Sequence, residues 1–306
     1  MARVVQGIGG GIAAAVARAV VVDVARGDLL ARLMSVLQAI GGLAPMIAPV
    51  VGALVITVGS WRDIFWTLAG FGALMVLTAV WFVPETLPPE RRHRGGVLQS
   101  LAGMGQLVRI PPFVGYALTA TFSGFTMMAY IANSSYVLQV MKGIPPIAFS
   151  LFFASTALAQ VVVSVVNARL IGRFRPHAMI TVGLIASAVA VIALTLGVLV
   201  WDTPLVLTCL GFLVLMASQG LVFGNSGALA SMQATHIAGS AAAVQGVASA
   251  LAMAAAAPLA SSGGGDSAVP MIAVMLAGSA ISAASFVFLT RPTGHREVEP
   301  GAREGA

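Results

Sequence analysis

The chain has 306 residues, of which 58% are hydrophobic and only 8% carry a charged side chain. Soluble domains are nearer half apolar and a quarter charged, so this composition excludes an ordinary cytosolic enzyme and a disordered chain. The formal net charge of +6 does not indicate a nucleic-acid partner, because the 16 basic residues are scattered between apolar runs. That distribution is typical of membrane topology and not of a stripe that follows phosphates.

Apolar runs of membrane-spanning length recur along the whole sequence. A bilayer core of about 30 Å requires roughly 20 apolar residues per helix. Nine runs approach or exceed this length and predict an all-α membrane protein, with spans at 4–22, 33–58, 64–83, 113–140, 147–166, 178–200, 205–224, 237–260 and 268–290. Glycine and alanine are abundant inside the runs, and such small residues allow membrane helices to pack closely.

The arginines and lysines of the connections predict the orientation, because cytoplasmic loops are enriched in them. One set of connections carries only Arg62 and Lys142. The opposite set carries thirteen arginines: Arg18, Arg26, Arg32, Arg91, Arg92, Arg94, Arg109, Arg169, Arg173, Arg175, Arg291, Arg296 and Arg303. The second set and the tail 291–306 are therefore expected in the cytoplasm, and the chain is expected to be a multi-pass protein of the plasma membrane, the inner membrane of the cell.

The number of runs predicts an incomplete transporter. Nine spans with a cytoplasmic C-terminus would leave Met1 outside the cell, and many transporters consist of two halves of six spans, each built from two three-span repeats. We expect 1–83 to be the remainder of an N-terminal half, 84–112 a cytoplasmic central loop and 113–290 a complete six-helix half, with three spans missing at the front. A genuine nine-span protein with its N-terminus outside is the alternative.

Several short stretches carry a family resemblance in their order and spacing. They are RVVQGIGGG at 3–11, ARAVVVD at 17–23, GLAPMIAPVVG at 42–52, WRDIFW at 61–66, PETLPPERR at 84–92, GN at 224–225, ALA at 228–230 and GSAA at 239–242. Together they resemble the Bcr/CflA drug-efflux subfamily, the drug:proton antiporters of the major facilitator superfamily, over about 1–290. The resemblance implies the major facilitator fold, with nine transmembrane helices present of an expected twelve.

The same resemblance implies a function. It is the secondary active export of small amphipathic compounds or drugs in exchange for protons, by alternating access and by a monomer in the lipid bilayer. The alternative is a truncated, non-transporting membrane fragment of such a transporter. No aspartate or glutamate is evident inside the predicted spans, although a carboxylate is the usual intramembrane proton carrier. We therefore expect the proton carrier in the missing spans.

Arg3 and Gln6 are the first candidate site residues. A guanidinium inside a bilayer costs about 3 to 15 kcal/mol unless it faces a cavity or a partner. The resemblance implies proton coupling for Arg3 and a cavity-lining position for Gln6, one turn further along the same helix. Alternatively, Arg3 extends to the membrane edge and Gln6 bonds a neighbouring helix.

Two further candidates concern the opening and closing of the transporter. Pro45 and Pro49 each remove a backbone donor and disturb their helix, and the resemblance implies a gate or hinge in this span, formed by Gly42, Pro45, Pro49 and Gly52. An ordinary kink is the alternative. Arg18 and Asp23 lie at a cytoplasmic helix end, where they form either a gate salt bridge or two solvated loop charges.

Uncharged polar and aromatic residues inside the spans are candidates for a substrate cavity. Each polar group there needs a hydrogen-bond partner in the protein interior, and a promiscuous drug site requires apolar walls with a few polar groups. The candidates are Phe122, Tyr130, Asn133, Gln160, Gln219 and Asn225. Core packing or lipid contact is the alternative for the aromatic members. Asn167 follows the fifth run, and we expect it in a loop with nearby arginines.

Signatures of enzymes, metal sites and cofactor sites are missing from the sequence. There is no HExxH, no P-loop and no close cluster of histidine with acidic residues, and Cys209 is the single cysteine. We therefore expect no catalytic residue, no metal and no cofactor, and only small molecules, protons and lipid as partners.

Overall fold

The computed structural model describes residues 2–24, 47–48, 51–52, 54–82, 105–171, 173–201, 203–234, 238–262 and 267–290. Within these ranges the chain is helical apart from turns and one isolated bridge between Ile171 and Phe174. The prediction of an all-α chain is therefore confirmed.

Eight long helices form the described part of the chain. They are α1 (Ala2–Val24), α2 (Trp61–Phe82), α3 (Pro111–Ser135), α4 (Pro146–Leu170), α5 (Pro176–Val200), α6 (Leu205–Met232), α7 (Ala238–Ala260) and α8 (Val269–Leu289), and a π-helical turn (Tyr136–Met141) follows α3. Proline occupies the first turn of α3, α5 and α8. Its fixed φ and missing N–H suit that position, so these prolines begin the helices.

Six of these helices are long and apolar enough to cross a membrane, namely α2 and α4 to α8. Each of the eight helices overlaps one predicted run. The remaining run, 33–58, falls largely outside the described residues, of which 47–48, 51–52 and 54–58 are helical. The count of nine spans therefore stays a prediction.

Two helices extend four or more residues past the predicted ends of their runs. Helix α6 continues to Met232 and α4 to Leu170, whereas the runs end at 224 and 166. The extension of α6 includes Asn225, whose polar side chain is buried against Asn167 of α4. A hydropathy pattern predicts that the span ends at such a residue, because the sequence does not show that a residue of another helix supplies a hydrogen-bond partner.

The chain divides into two compact units. One contains Met1–Gly96 with Pro145–Val161, and the other contains Val97–Ile144 with Val162–Ala306. In the first unit, none of the residues of α2 is buried, and its apolar side chains, such as Phe71 and Trp81, are exposed. An apolar surface on every side of a helix is expected where the surroundings are lipid or other helices.

Helix α3 is the centre of the second unit, where it packs against α6, α7 and α8. Helix α5 packs against α6 and α8. Gly124 faces Phe223 and Tyr130 contacts Phe212, so α3 and α6 are antiparallel. The buried cluster at one end of this unit includes Phe113, Tyr116, Ile180, Val222 and Phe286.

The packing of α5 on α6 depends on a glycine. A Cβ added to Gly183 would lie 2.8 Å from Cγ2 of Val222 and 3.1 Å from the carbonyl oxygen of Ser218. Both distances are shorter than ordinary van der Waals contact, so only glycine permits this approach. The effect is typical of membrane helices, which associate through close backbone packing.

Candidate functional site

The interior of the second unit contains buried polar groups within its apolar core, whereas its exterior is apolar. Helix α3 is not among the six helices of membrane-spanning composition, yet most of it is buried. Its buried residues include six with small polar side chains: Thr119, Thr121, Ser123, Thr126, Asn133 and Ser134. Lipid offers no hydrogen bonds, so these groups lie between helices, while exposed positions such as Val189 and Ile192 on α5 are apolar.

One face of α3 bonds to α8 through hydroxyl groups. Oγ of Ser282 donates to the carbonyl oxygen of Thr119 at 2.9 Å and lies 3.4 Å from Oγ of Ser123. Oγ1 of Thr119 donates to the carbonyl oxygen of Gly115 at 2.7 Å. These hydroxyls have partners inside the bundle, so this face holds the helices together.

A second face of α3 approaches α7. Oγ of Ser261 donates to Oδ1 of Asn133 at 3.3 Å, and the hydroxyls of Thr121 and Ser249 are 3.4 Å apart. Nδ2 of Asn133 and Oγ of Ser134 are buried with no hydrogen-bond partner in the described part of the chain. These two groups lie just before the π-helical turn, and π-helical turns are frequent at functional sites.

An aromatic pair joins α3 to α6. The ring centroids of Tyr130 and Phe212 are 4.8 Å apart with an interplanar angle of 56°, and both side chains are fully buried. Such a pair stabilises by about 0.5–1.5 kcal/mol beyond its burial. The sequence singles out Tyr130 for its polar hydroxyl, whereas Phe212 resembles any other apolar residue of its run.

Helix α6 presents one continuous buried seam to the interior of the unit. Its members are spaced three and four residues apart, and therefore share one face of the helix. All are 0% exposed: Phe212, Leu215, Gln219, Val222, Ser226 and Ala230. We call this set the α6 seam. Within it, Gln219 is the only carboxamide.

Neither polar atom of Gln219 has a hydrogen-bond partner in the part of the chain that the structure describes. Its Oε1 and Nε2 are both buried and unpartnered among the described residues, and so is Oγ of Ser226, seven residues further along the α6 seam. Leaving a buried donor or acceptor unpaired costs about 1–3 kcal/mol. The α6 seam thus presents one donor and one acceptor side by side in apolar surroundings.

The carboxamide of Asn225, by contrast, has partners. It bonds to Asn167 of α4, and its Nδ2 also donates to the carbonyl oxygen of Leu221 at 2.8 Å. Asn167 lies inside a helix and is buried, which differs from the expected loop position. The expectation was wrong because the helix continues past the apolar run.

The remaining cavity candidates are placed less deeply. Phe122 is half-buried, with its ring 5.9 Å from that of Phe125, and Gln160 is half-buried on α4. The structure thus brings Tyr130 of α3 to the α6 seam that contains Gln219, and it places Asn225 beside a different helix. Ser134 joins the core as a polar residue of an apolar run, whereas Phe212 and Ser226 join it without any sequence signal beyond their helical spacing.

The candidates for coupling and gating lie in the first unit. Gln6 is exposed on α1, and Gly52 is in a helical stretch where an added Cβ would meet no described side chain or neighbouring helix within 4 Å. The side chains of Arg3, Arg18 and Asp23 lie outside the described part of α1, and Gly42, Pro45 and Pro49 lie outside the described residues altogether. Their roles stay predictions.

No group of three or more histidine, cysteine, aspartate or glutamate residues comes together in the ranges that the structure covers. The described side chains in the core of the second unit offer hydrogen bonding and apolar contact.

Comparison with known proteins assigns the family. A family model described as Major Facilitator Superfamily matches residues 1–258. The chain is 31% identical over 292 residues to an uncharacterized MFS-type transporter, YdgK, of Bacillus subtilis (strain 168), covering 95% of this chain and 72% of that protein.

Several relatives have names that refer to drug resistance. A bicyclomycin resistance protein homolog of Haemophilus influenzae is 25% identical, with 94% of this chain and 72% of that protein covered. The multidrug resistance protein MdtL of Salmonella heidelberg is 28% identical, with 69% of this chain and 54% of that protein covered. The family model matches most of the chain, and the apolar helices of the chain are long enough to span a bilayer. The chain therefore belongs to the Major Facilitator Superfamily, whose members are integral membrane transporters of small molecules and not enzymes.

Proposed function

We propose that the protein is a drug exporter of the Bcr/CflA subfamily, which moves small amphipathic compounds out of the cell in exchange for protons by alternating access. The observation that carries this proposal is the interior of the second unit. There, the rings of Tyr130 and Phe212 lie on two adjoining helices, together with the carboxamide of Gln219, whose polar atoms have no partner among the described residues. Mostly apolar walls with a few polar groups suit small amphipathic molecules.

The names of the relatives support drugs as the class of substrate. One relative is named for bicyclomycin resistance and another for multidrug resistance. Identities of 25–28% with these proteins support a common class of substrate and do not specify one compound. The transport experiment therefore uses a panel of amphipathic compounds.

Proton coupling and gating are proposed for residues of the first unit. We propose that Arg3 couples the proton to transport with Gln6 in the cavity, that Arg18 and Asp23 form a cytoplasmic gate, and that the proline–glycine span is a hinge, formed by Gly42, Pro45, Pro49 and Gly52. This arrangement follows the proposed division into a helical part at 1–83, a central loop at 84–112, a six-helix half at 113–290 and a cytoplasmic tail at 291–306. We propose that the protein carries out this transport as a monomer and without a cofactor.

The test is transport in proteoliposomes that contain the purified protein. An imposed pH gradient, acid inside, is expected to drive accumulation of a fluorescent amphipathic drug such as ethidium, and a protonophore is expected to abolish it. Arg3→Gln is expected to lower gradient-driven accumulation at least tenfold, because it removes the charge. Arg175→Gln, a change at an exposed arginine before α5, is the matched control and is expected to have no effect.

Two results would contradict the proposal. Drug accumulation that is independent of the pH gradient would exclude proton exchange. A protein that inserts and folds in the liposomes but neither transports nor binds any compound of the panel would favour the non-transporting fragment.

A further inference from the structure

The connection between α4 and α5 carries three exposed arginines within seven residues. Arg169 is in the last turn of α4, and Arg173 and Arg175 lie between the two helices. Among them, Ile171 and Phe174 are 52% and 56% exposed and are joined by an isolated backbone bridge. We call these five residues the arginine turn. Charged and apolar side chains therefore alternate along one exposed connection.

The backbone of the arginine turn is fixed by hydrogen bonds, although its side chains are exposed. The carbonyl oxygen of Leu170 accepts bonds from the N–H groups of Arg173 at 3.0 Å and of Phe174 at 3.1 Å. The carbonyl oxygen of Arg175 accepts a bond from the N–H of Ala178 at 2.9 Å, in the first turn of α5. These bonds connect the end of α4 to the start of α5 directly, so the arginines stay close to the ends of both helices.

The arginine turn is expected at the depth of the lipid headgroups. Helices α4 and α5 are both long and apolar enough to cross a membrane, and their connection is expected where the chain leaves the hydrocarbon. At this depth a guanidinium extends toward the headgroups, whereas an exposed apolar side chain such as Phe174 favours the boundary with the acyl chains. Side chains of both kinds on one short turn suit the surface of a membrane better than bulk water.

The arginine turn has no counter-charge among the described residues of the second unit, since these include no aspartate or glutamate. An anion for it therefore comes from outside this part of the unit. The planar guanidinium matches a phosphate group, to which it donates two parallel hydrogen bonds. Positive charge alone is enough to orient a connection in a membrane. The planar donors and the adjoining apolar side chains add a preference for a phospholipid of negative charge.

We propose that the arginine turn is a binding site for the headgroup of an anionic phospholipid such as phosphatidylglycerol. The guanidinium groups of Arg169, Arg173 and Arg175 bind the phosphate, and Ile171 and Phe174 contact the adjoining part of the acyl chains. The inference goes beyond the proposed export function, because it concerns a lipid ligand and does not depend on which compound is transported.

The experiment uses the full chain, purified in a neutral detergent. A fluorescent phosphatidylglycerol and a phosphatidylcholine with the same label and acyl chains are each titrated with the protein, and the ratio of the two dissociation constants gives the lipid preference. Each basic residue near an anionic surface strengthens association by about fivefold. The wild type is therefore expected to prefer phosphatidylglycerol at least tenfold, and the double variant Arg173→Gln with Arg175→Gln is expected to lower this preference at least fivefold.

The matched control removes the same number of positive charges at two other positions. Arg62→Gln with Lys142→Gln changes the two basic residues that the sequence predicts on the opposite side of the membrane, and it is expected to leave the preference intact. Arg173→Lys with Arg175→Lys keeps the charge but not the planar donors, and it is expected to retain part of the preference. Thermal melts check that all variants are folded.

Three results would overturn the inference. They are a wild type that binds both lipids equally, an equal loss of preference in the arginine double variant and in the control, and displacement of phosphatidylglycerol by an excess of inorganic phosphate. The second result would indicate an effect of net charge, and the third a site for a free anion. A wild type that prefers phosphatidylglycerol as expected but transports no drug would contradict the proposed function and support this inference.

Discussion

Asn225 and Asn167 form a reciprocal pair of hydrogen bonds between α6 and α4. Nδ2 of Asn225 donates to Oδ1 of Asn167 at 2.8 Å, and Nδ2 of Asn167 donates to Oδ1 of Asn225 at 3.3 Å. Both side chains are at least nine-tenths buried. Polar side chains that bond across helices contribute to the association of membrane helices, where the hydrophobic effect does not.

The first prediction is that these two asparagines are energetically coupled. Replacing either one with alanine leaves the other carboxamide without this partner, which is expected to cost about 1–3 kcal/mol of unfolding free energy. The double variant is expected to cost less than the sum of the single variants, with a coupling of about 0.5–2 kcal/mol. The unfolding free energies of the wild type, the two single variants and the double variant are measured in mixed micelles with an increasing fraction of denaturing detergent.

Ser231→Ala is the control for this cycle. Its hydroxyl is exposed and donates to the carbonyl oxygen of Gly227 in the same helix, so the change is expected to alter the unfolding free energy by less than about 0.5 kcal/mol. Strictly additive effects of Asn167→Ala and Asn225→Ala would show that the pair does not form in the folded protein.

The helices of this protein are predictable from its sequence, because lipid imposes a length and a composition on each span. Eight of the predicted runs coincide with described helices for that reason. The ends were less predictable. Asn167 and Asn225 each look like the end of a run, yet both lie inside helices because each supplies the other with hydrogen bonds.

The residues of the candidate core were predictable only in part, because the contacts of each residue depend on how neighbouring helices pack. Tyr130, Asn133, Gln219 and Asn225 stand out as polar residues in apolar runs, and all four are buried. Hydropathy does not show which neighbour each residue faces, since that depends on the relative rotation and register of two helices. Phe212 therefore carries no signal in the sequence, although it packs on Tyr130.

The second prediction concerns the aromatic pair of Tyr130 and Phe212. Phe212→Ala removes a fully buried ring and its contact with Tyr130, and such a truncation is expected to cost about 3–5 kcal/mol. Phe212→Leu keeps most of the volume and is expected to cost less than half as much. Thermal unfolding of the detergent-solubilised protein measures both, and equal stability of Phe212→Ala and wild type would contradict the buried contact.

The third prediction concerns the close contact of α3 with α8. A Cβ added to Gly278 would lie 2.9 Å from Cδ1 of Phe125 and 3.1 Å from the carbonyl oxygen of Phe122, and the backbone oxygen moves only with its helix. Gly278→Ala is therefore expected to destabilise the protein by about 1–3 kcal/mol. Gly246→Ala on α7, where an added Cβ would meet none of the described neighbouring groups within 4 Å, is expected to be neutral or slightly stabilising.

Thermal melts of the two glycine variants, recorded side by side in the same detergent, measure this difference. A larger loss in Gly246→Ala than in Gly278→Ala would mean that α3 and α8 do not pack in this register.

The fourth prediction concerns the orientation of α5, whose ends carry the exposed residues Arg173 and Trp201. The helix is about 37 Å long, so the two positions are expected on opposite sides of a bilayer, and positive loop charge favours the cytoplasm for Arg173. In a Cys209→Ser background, a membrane-impermeant maleimide is expected to label Trp201→Cys in intact cells. Arg173→Cys is expected to react only after the cells are permeabilised. The reverse pattern would invert the proposed topology, because the arginine-rich connections would then face outward together with the C-terminal tail.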